Sequence, residues 1–189
     1  FEDETRTITS GVTINYGYQP ITIQSDRDNR YVEFDLNAGY DCYMQALLDD
    51  VDVDSLVVRV DLSTTNSVPK NSLIQYAYDG LDTKCNLVKF HDEGIVVNDV
   101  LYTEGFIAKD TWTKLELVID FTPEGKDTCD VYVNGEFLVK TDLPDATHAI
   151  PYMRFYLVGN ENKDKTLLVD NWAIYEGPER LADEDIVGP

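Results

Sequence analysis

Hydrophobic and polar residues alternate with a period of two along most of the chain, the pattern of β-strands with one buried face. In segment 114–121 the odd positions are Leu, Leu, Ile and Phe, while positions 114, 116 and 120 are charged. Similar segments, rich in Val, Ile, Tyr, Phe and Thr, predict an all-β chain. The predicted strands are Val12–Asn15, Ile21–Gln24, Tyr31–Leu36, Cys42–Leu48, Leu56–Leu62, Leu73–Tyr78, Asn86–Phe90, Ile95–Val97, Trp112–Phe121, Cys129–Val133, Phe137–Lys140, Tyr152–Val158 and Leu167–Tyr175.

Turn residues separate these segments. Asn134-Gly135 lies between two of them and predicts a β-hairpin, because both residues accept the positive φ of a type I′ turn. Many short strands joined by turns predict two stacked antiparallel sheets, a β-sandwich. We expect residues 1–177 to form this domain. Residues 178–189, which include the one candidate for an amphipathic helix, are expected to be an acidic tail or linker.

The charge of the chain restricts its partners. The sequence has 36 acidic and 15 basic residues, a formal net charge of -21. Nucleic-acid affinity comes largely from Lys and Arg that neutralise phosphates, so nucleic acid is excluded as a predicted partner, and anionic membranes are disfavoured. Apolar runs of about 18 residues are absent from the sequence, so membrane insertion is not predicted. Neutral sugars and Ca²⁺ remain compatible with this charge.

The cysteines do not form a recognisable framework. Cys42, Cys85 and Cys129 are an odd number, lack zinc-site spacing and lie in apolar segments. Buried free thiols are therefore predicted, with one disulfide plus one free thiol as the alternative.

The order of several short motifs carries a family resemblance. They are Asp110-Thr-Trp112, the segment Leu115–Asp120, the segment Asp130–Gly135, the segment Tyr152–Tyr156 and the last strand, Val169–Tyr175. This succession resembles the concanavalin A-like lectin/glucanase superfamily, and especially its laminin-G-like jelly-roll modules in bacterial extracellular proteins. The resemblance implies a jelly-roll sandwich, an extracellular or cell-surface location and a place within a larger multidomain protein.

The resemblance also implies a metal site. Such modules often hold a structural Ca²⁺ where the first and last strands meet. Glu2 and Asp3, in a predicted first strand, and Asp170, in the last one, are the matching positions. Carboxylate oxygens are the ligands that Ca²⁺ prefers.

Catalytic patterns of related folds are incomplete in this sequence. Similar glucanases carry three carboxylates on one strand, whereas Glu33-Phe34-Asp35 is followed by no third carboxylate. The alginate-lyase branch of the architecture needs a His, a Tyr and Arg or Gln groups that neutralise a uronate. Only His91 and His148 are present, and the sequence has no Gln-x-His tripeptide. We therefore predict no catalytic residues and expect the chain not to be an enzyme.

Tyrosine and arginine side chains on sheet faces are the candidate contacts to a glycan, because aromatic rings stack on sugars and Arg binds their polar groups. Tyrosine is also enriched in strands for packing reasons alone. The predicted ligand-binding residues are Arg59, Tyr76, Tyr78, Tyr152, Arg154 and Tyr156. The sequence therefore predicts a non-catalytic module that binds a polysaccharide or glycan. The alternatives are a protein-interaction or adhesin spacer module and a polysaccharide-cleaving enzyme.

Overall fold

The computed structural model describes residues 9–15, 21–26, 29–36, 39–48, 54–78, 83–121, 126–144 and 152–177. They form two seven-stranded antiparallel sheets that stack as a sandwich, which confirms the predicted all-β jelly-roll class. Within these ranges, no helix has the length and apolar character required to cross a membrane. The predicted first strand with Glu2 and Asp3, and the predicted tail 178–189, lie outside the described residues.

Sheet I contains the strands that later carry the candidate site. Its strands, in spatial order, are β1 (Thr9–Asn15), β4 (Cys42–Leu48), β13 (Tyr152–Leu157), β6 (Leu73–Tyr78), β7 (Thr83–His91), β8 (Gly94–Val97) and β9 (Val100–Tyr102). A short 3₁₀ turn at Thr103–Gly105 follows β9.

Sheet II covers the inner side of sheet I. Its strands, in spatial order, are β12 (Glu136–Asp142), β11 (Thr128–Val133), β10 (Thr113–Asp120), β5 (Ser55–Ser63), β14 (Thr166–Glu176), β3 (Asn29–Asp35) and β2 (Ile21–Asp26). The turn between β11 and β12 is the predicted hairpin, with φ of 51° at Asn134 and 87° at Gly135. The Asn134 side-chain oxygen also accepts a hydrogen bond of 3.0 Å from the Lys114 amide, which ties the turn to β10.

Alternate residues of both sheets meet in one core. Phe155 of sheet I contacts Trp172 of sheet II edge-on, with ring centroids 5.2 Å apart. Tyr76 of β6 makes a similar contact at 6.3 Å with Phe121, which follows β10. Aromatic rings that bridge the layers in this way fix how the two sheets stack, and so where each outer face points.

All three cysteines lie buried within this interior, as predicted. Burial, followed by the charge of Asp41, raises the pKa of the Cys42 thiol to about 12. Burial also raises the pKa values of Cys85 and Cys129. A neutral thiol is a poor nucleophile, so these positions serve packing.

Candidate functional site

Acidic residues are divided unequally between the two sheets. Over the bounds given above, the strands of sheet I contain no Asp or Glu, although they contain Arg154 and two lysines. The strands of sheet II contain the acidic residues Asp26, Glu33, Asp35, Asp61, Glu116, Asp120, Asp130, Glu136, Asp142, Asp170 and Glu176. The strands of sheet I therefore carry a net positive charge within a strongly acidic chain.

The outer face of sheet I, the side turned away from sheet II, brings four strands together around Arg154. Strand register places Gln45, Arg154, Gln75 and Asn86 in one row across β4, β13, β6 and β7. On β13, Tyr152 and Tyr156 lie two residues to either side of Arg154, so all three side chains point the same way.

Three tyrosine rings surround the Arg154 guanidinium. Its central carbon lies 5.2 Å from the ring centres of Tyr43 and Tyr152 and 5.4 Å from that of Tyr156. These separations lie within the range of cation–π attraction. Tyr152 is only 5% exposed although it is on an outer face, so it shields one side of the guanidinium from water. The rings hold a long, flexible side chain in one orientation.

A hydrogen-bonded row of amides extends from this arginine. With the Gln75 amide assigned so that its oxygen faces Arg154, it accepts hydrogen bonds from Nε and from Nη2, the latter at 2.9 Å. The Gln75 nitrogen then donates to the Asn86 side-chain oxygen at 3.2 Å. Gln75 is buried and Asn86 is exposed, so the row runs from a shielded arginine to an open amide. We refer to Arg154, Tyr43, Tyr152, Tyr156 and Gln75 as the arginine cluster.

Asp41 fixes one hydroxyl of the arginine cluster. The Tyr156 hydroxyl donates a hydrogen bond to Asp41 Oδ2, and Gly159 N donates to Oδ1 of the same carboxylate at 2.8 Å. The hydrogen bond to Asp41 is the main reason that the pKa of Tyr156 rises to about 12, with burial and the Asp41 charge adding to it. A side chain at position 159 would lie about as close as 2.1 Å to the Tyr40 backbone, so glycine is required for this approach.

The structure brings together three of the six predicted ligand-binding residues: Tyr152, Arg154 and Tyr156. Tyr76 does not fit the predicted role, because it faces inward from β6 and is 0% exposed. The side chain of Tyr78 lies outside the described part of the structure. Arg59 belongs to β5 of sheet II and lies opposite Glu116, on the far side of the sandwich, so the predicted patch joining it to the tyrosines does not form.

Sequence reasoning missed Tyr43, Gln75, Asn86 and Asp41. The side-chain alternation of each strand was readable, and it placed Tyr43 opposite in direction to Cys42 and Met44. The order of the strands within the sheet was not readable from alternation, because pairing partners lie far apart in the chain. Only that order makes Gln75 and Tyr43 neighbours of Arg154.

Two of the three residues of the predicted Ca²⁺ site, Glu2 and Asp3, lie outside the described residues. Asp170 lies opposite Asp61 in register, and its Oδ1 accepts a hydrogen bond from the Asn171 amide. Among the described residues, no group of three or more His, Cys, Asp or Glu side chains is arranged to hold a metal. Ca²⁺ takes six to eight oxygen ligands. The described donors alone therefore do not fit the ion, and the site stays a prediction that depends on Glu2 and Asp3.

Known structures share this fold. A comparison with protein-family models finds no match, and neither does a sequence comparison with curated proteins. The structure is similar to an alginate lyase from Chlorella virus, at a TM-score of 0.59 and 11% identity over 88% of this chain and 92% of that one. It is also similar to an endo-β-1,4-glucuronan lyase from the fungus Trichoderma reesei, at 0.63 and 8% identity over 89% and 96%. A botulinum neurotoxin receptor-binding domain (C/D mosaic serotype) matches at 0.59 and 14% identity, with 93% of this chain but 45% of that one covered.

These similarities correct the prediction that the chain is not an enzyme. A carbohydrate esterase from bacteriophage phi24B also matches, over 88% of this chain, at a TM-score of 0.60 and 11% identity. Enzymes that act on polysaccharides thus share the fold over most of both chains, and incomplete glucanase and lyase sequence patterns were not sufficient grounds to exclude catalysis. The jelly-roll sandwich itself is confirmed by these neighbours, whereas the narrower laminin-G-like assignment stays a prediction.

Proposed function

We propose that the chain is a polysaccharide lyase that binds a uronate-containing polymer on the outer face of sheet I and cleaves it by β-elimination at the arginine cluster. The observation that carries the proposal is the oriented Arg154, surrounded by three tyrosines and continued by two amides, on the sheet whose strands lack acidic residues. The similarity in fold to the alginate and glucuronan lyases supports the reaction class. A polymer of this kind also fits the expected extracellular location.

Uronate elimination requires three kinds of group. The carboxylate next to the reacting carbon must be neutralised, because its charge makes removal of the neighbouring proton difficult. A base must then remove that proton, and an acid must protonate the oxygen that leaves. Arginine, amide and phenol side chains can supply these functions together. Serine or cysteine nucleophiles, which ester hydrolysis commonly uses, are not part of the arginine cluster.

Arg154 is the proposed carboxylate-binding residue. A planar guanidinium forms two parallel hydrogen bonds with a carboxylate, which a lysine ammonium cannot reproduce. Asn86, exposed at the end of the amide row, is the proposed donor of a further hydrogen bond elsewhere on the substrate. Charge-assisted hydrogen bonds of this kind are strongest where water is excluded. The buried Tyr152 ring excludes water from one side of the guanidinium.

The phenols are the proposed proton-transfer groups. Tyr156, whose pKa is raised to about 12, carries its proton at neutral pH, and its hydroxyl is the proposed donor to the leaving oxygen. That role requires the hydroxyl to turn from Asp41 to the substrate. Tyr43 pairs with Tyr156 across β4 and β13, and its ring centre lies 5.2 Å from the central carbon of the Arg154 guanidinium, so its phenolate form is the proposed base.

A direct assay tests the proposal. The protein is incubated with alginate, with glucuronan and with a neutral glucan, and formation of the unsaturated uronate product is followed by ultraviolet absorbance. We expect product from a uronate polymer and none from the glucan. Arg154→Gln should lower kcat/KM by roughly 10- to 100-fold, from the loss of a charge-assisted contact. Arg154→Lys should restore only part of the activity, because it keeps the charge without the planar geometry.

A matched variant distinguishes an effect at the arginine cluster from a general effect of lost positive charge. Lys140→Gln removes one positive charge from β12 of sheet II and should leave the rate unchanged. Polymer binding without any unsaturated product, in wild-type protein that is folded by circular dichroism, would refute the lyase assignment. Activity that survives both Tyr43→Phe and Tyr156→Phe would refute the proposed roles of the phenols.

A further inference from the structure

Two lysines extend the positive character of the outer face beyond the arginine cluster. Lys84 and Lys89 lie on β7, on either side of Asn86 along the strand. Register pairs Lys84 with Ala77 and Lys89 with Leu73, so both share the outer face of sheet I with Gln75 and Arg154. Lys84 is exposed and Lys89 is half-buried.

Among the described residues, these lysines differ from most others in pairing with no carboxylate. Elsewhere Lys70 and Lys165 both pair with Asp92, Lys126 pairs with Asp142, and Lys140 pairs with Asp130. Within the described ranges, neither Lys84 nor Lys89 forms an ion pair or a side-chain hydrogen bond. In a chain with 36 acidic and 15 basic residues, two unpaired ammonium groups on one strand face form a local site for anions.

The distance from each lysine to Arg154 suits carboxylates on different sugar units of one polymer. Each lysine lies two strands from β13 and two residues along, one toward Tyr152 and the other toward Tyr156. Strand spacing of about 4.8 Å and a rise of about 3.4 Å per residue place each lysine Cα about 12 Å from that of Arg154. Side chains that extend in parallel from one face at this separation suit carboxylates on different sugars.

We infer that Lys84 and Lys89 bind carboxylates of sugars that neighbour the one held by Arg154, so that the site selects polymers charged on successive sugars. The inference rests on the proposed function, and it adds two specificity-determining residues outside the arginine cluster. Neither lysine takes part in the elimination, so their removal should weaken binding and raise KM while kcat changes little.

The salt dependence of binding tests the inference. Glucuronan oligosaccharides are titrated into the folded protein at several salt concentrations, in a Tyr43→Phe background so that the ligand is not consumed. We expect Lys84→Gln and Lys89→Gln each to weaken binding by roughly 3- to 10-fold at low salt. The slope of log affinity against log salt concentration should fall by about one for each lysine removed. Lys140→Gln, which removes the same charge from sheet II, is the matched control and should change neither quantity.

The outcomes distinguish this inference from the proposed function. Weaker binding and reduced slopes for both β7 variants, with the control unchanged, support it. Equal effects of all three substitutions would show that only net charge matters and would overturn it. If Arg154→Gln abolishes binding while both β7 variants bind as wild type does, the lysine inference fails and the lyase proposal stands. If wild type binds without forming unsaturated product, the lyase proposal fails, whereas weaker binding and reduced salt slopes of both β7 variants still support the lysine inference.

Discussion

The hydrogen bond between Tyr156 and Asp41 gives a prediction that is independent of any substrate. Asp41→Asn removes the negative charge, while the remaining amide oxygen can still accept from Gly159 N. The Asp41 hydrogen bond is the largest contribution to the raised pKa of Tyr156, and the Asp41 charge adds to it, whereas Arg154 opposes it. In the variant the pKa should therefore fall from about 12 most of the way to the ordinary value of 10.0, with burial of the ring retaining the rest.

The expected change is large enough to resolve. About two pKa units correspond to roughly a 100-fold change in proton affinity. Tyrosine labelled with ¹³C at Cζ reports ionisation of each ring by NMR, and Tyr156→Phe identifies the relevant signal among the 12 tyrosines. Asp99→Asn is a matched control, because Asp99 is an exposed carboxylate at a positive φ that asparagine also adopts. It should leave Tyr156 unchanged.

Linkage gives the same prediction a second readout. The folded-state pKa of Tyr156 is above the unfolded value, so the folded protein keeps a proton that the unfolded chain loses between about pH 10 and 12. The associated stabilisation is complete below pH 10 and is lost as pH rises through that window. The fall in unfolding free energy there should be less steep in Asp41→Asn. An unchanged Tyr156 titration in that variant would refute the assignment of Asp41 as the cause.

Three further predictions concern the interior. Phe155→Ala should lower the unfolding free energy by about 3–5 kcal/mol in urea denaturation, whereas Phe137→Ala, at a ring 57% exposed, should change it by less than about 1 kcal/mol. Asn162→Ala should cost at least about 2 kcal/mol in the same assay, because its buried amide bonds both backbone groups of Lys70; a loss under about 0.5 kcal/mol would contradict this. The cysteine thiols should react with a thiol reagent only after unfolding, since burial raises their pKa values, Cys42 to about 12; rapid labelling of the native protein would count against it.

The sequence predicted local features of the fold well, because each depends on neighbouring residues. The alternation along 114–121 and the turn chemistry of Asn134-Gly135 are satisfied locally, so strands and hairpin appear where expected. Which face of each strand is buried was harder to predict from the sequence. Tyr76 and Tyr152 both sit in alternating strands, yet one faces the core and the other the outer face. Which side of a strand is buried depends on the layer packed against it, and a tyrosine is compatible with either side.

The candidate site was only half predictable for a different reason. Tyr152, Arg154 and Tyr156 are two residues apart on one strand, and period two alone places them together. Gln75 and Tyr43 come from strands that are distant in sequence and meet Arg154 only through the order β4, β13, β6. That order is a property of the jelly-roll topology. A comparison of patterns within single strands therefore found the arginine and two of its rings but not the groups that orient it.

The distribution of charge between the two sheets is a better guide to the ligands of the protein than its net charge. A value of -21 suggests that any polyanion is repelled, but the strand acids belong to sheet II. Stacked sheets lie about 10 Å apart, and the Debye length is about 8 Å at physiological ionic strength, so charges on the far side of the sandwich are largely screened from a ligand on sheet I. The charged side chains that the sheet I strands present to such a ligand are Arg154, Lys84 and Lys89, and Asp41 lies beside Tyr156 at the end of β4. The same chain can thus repel nucleic acid over most of its surface and still present one face suited to an anionic glycan, because the field at short range is set by the sheet that the ligand contacts.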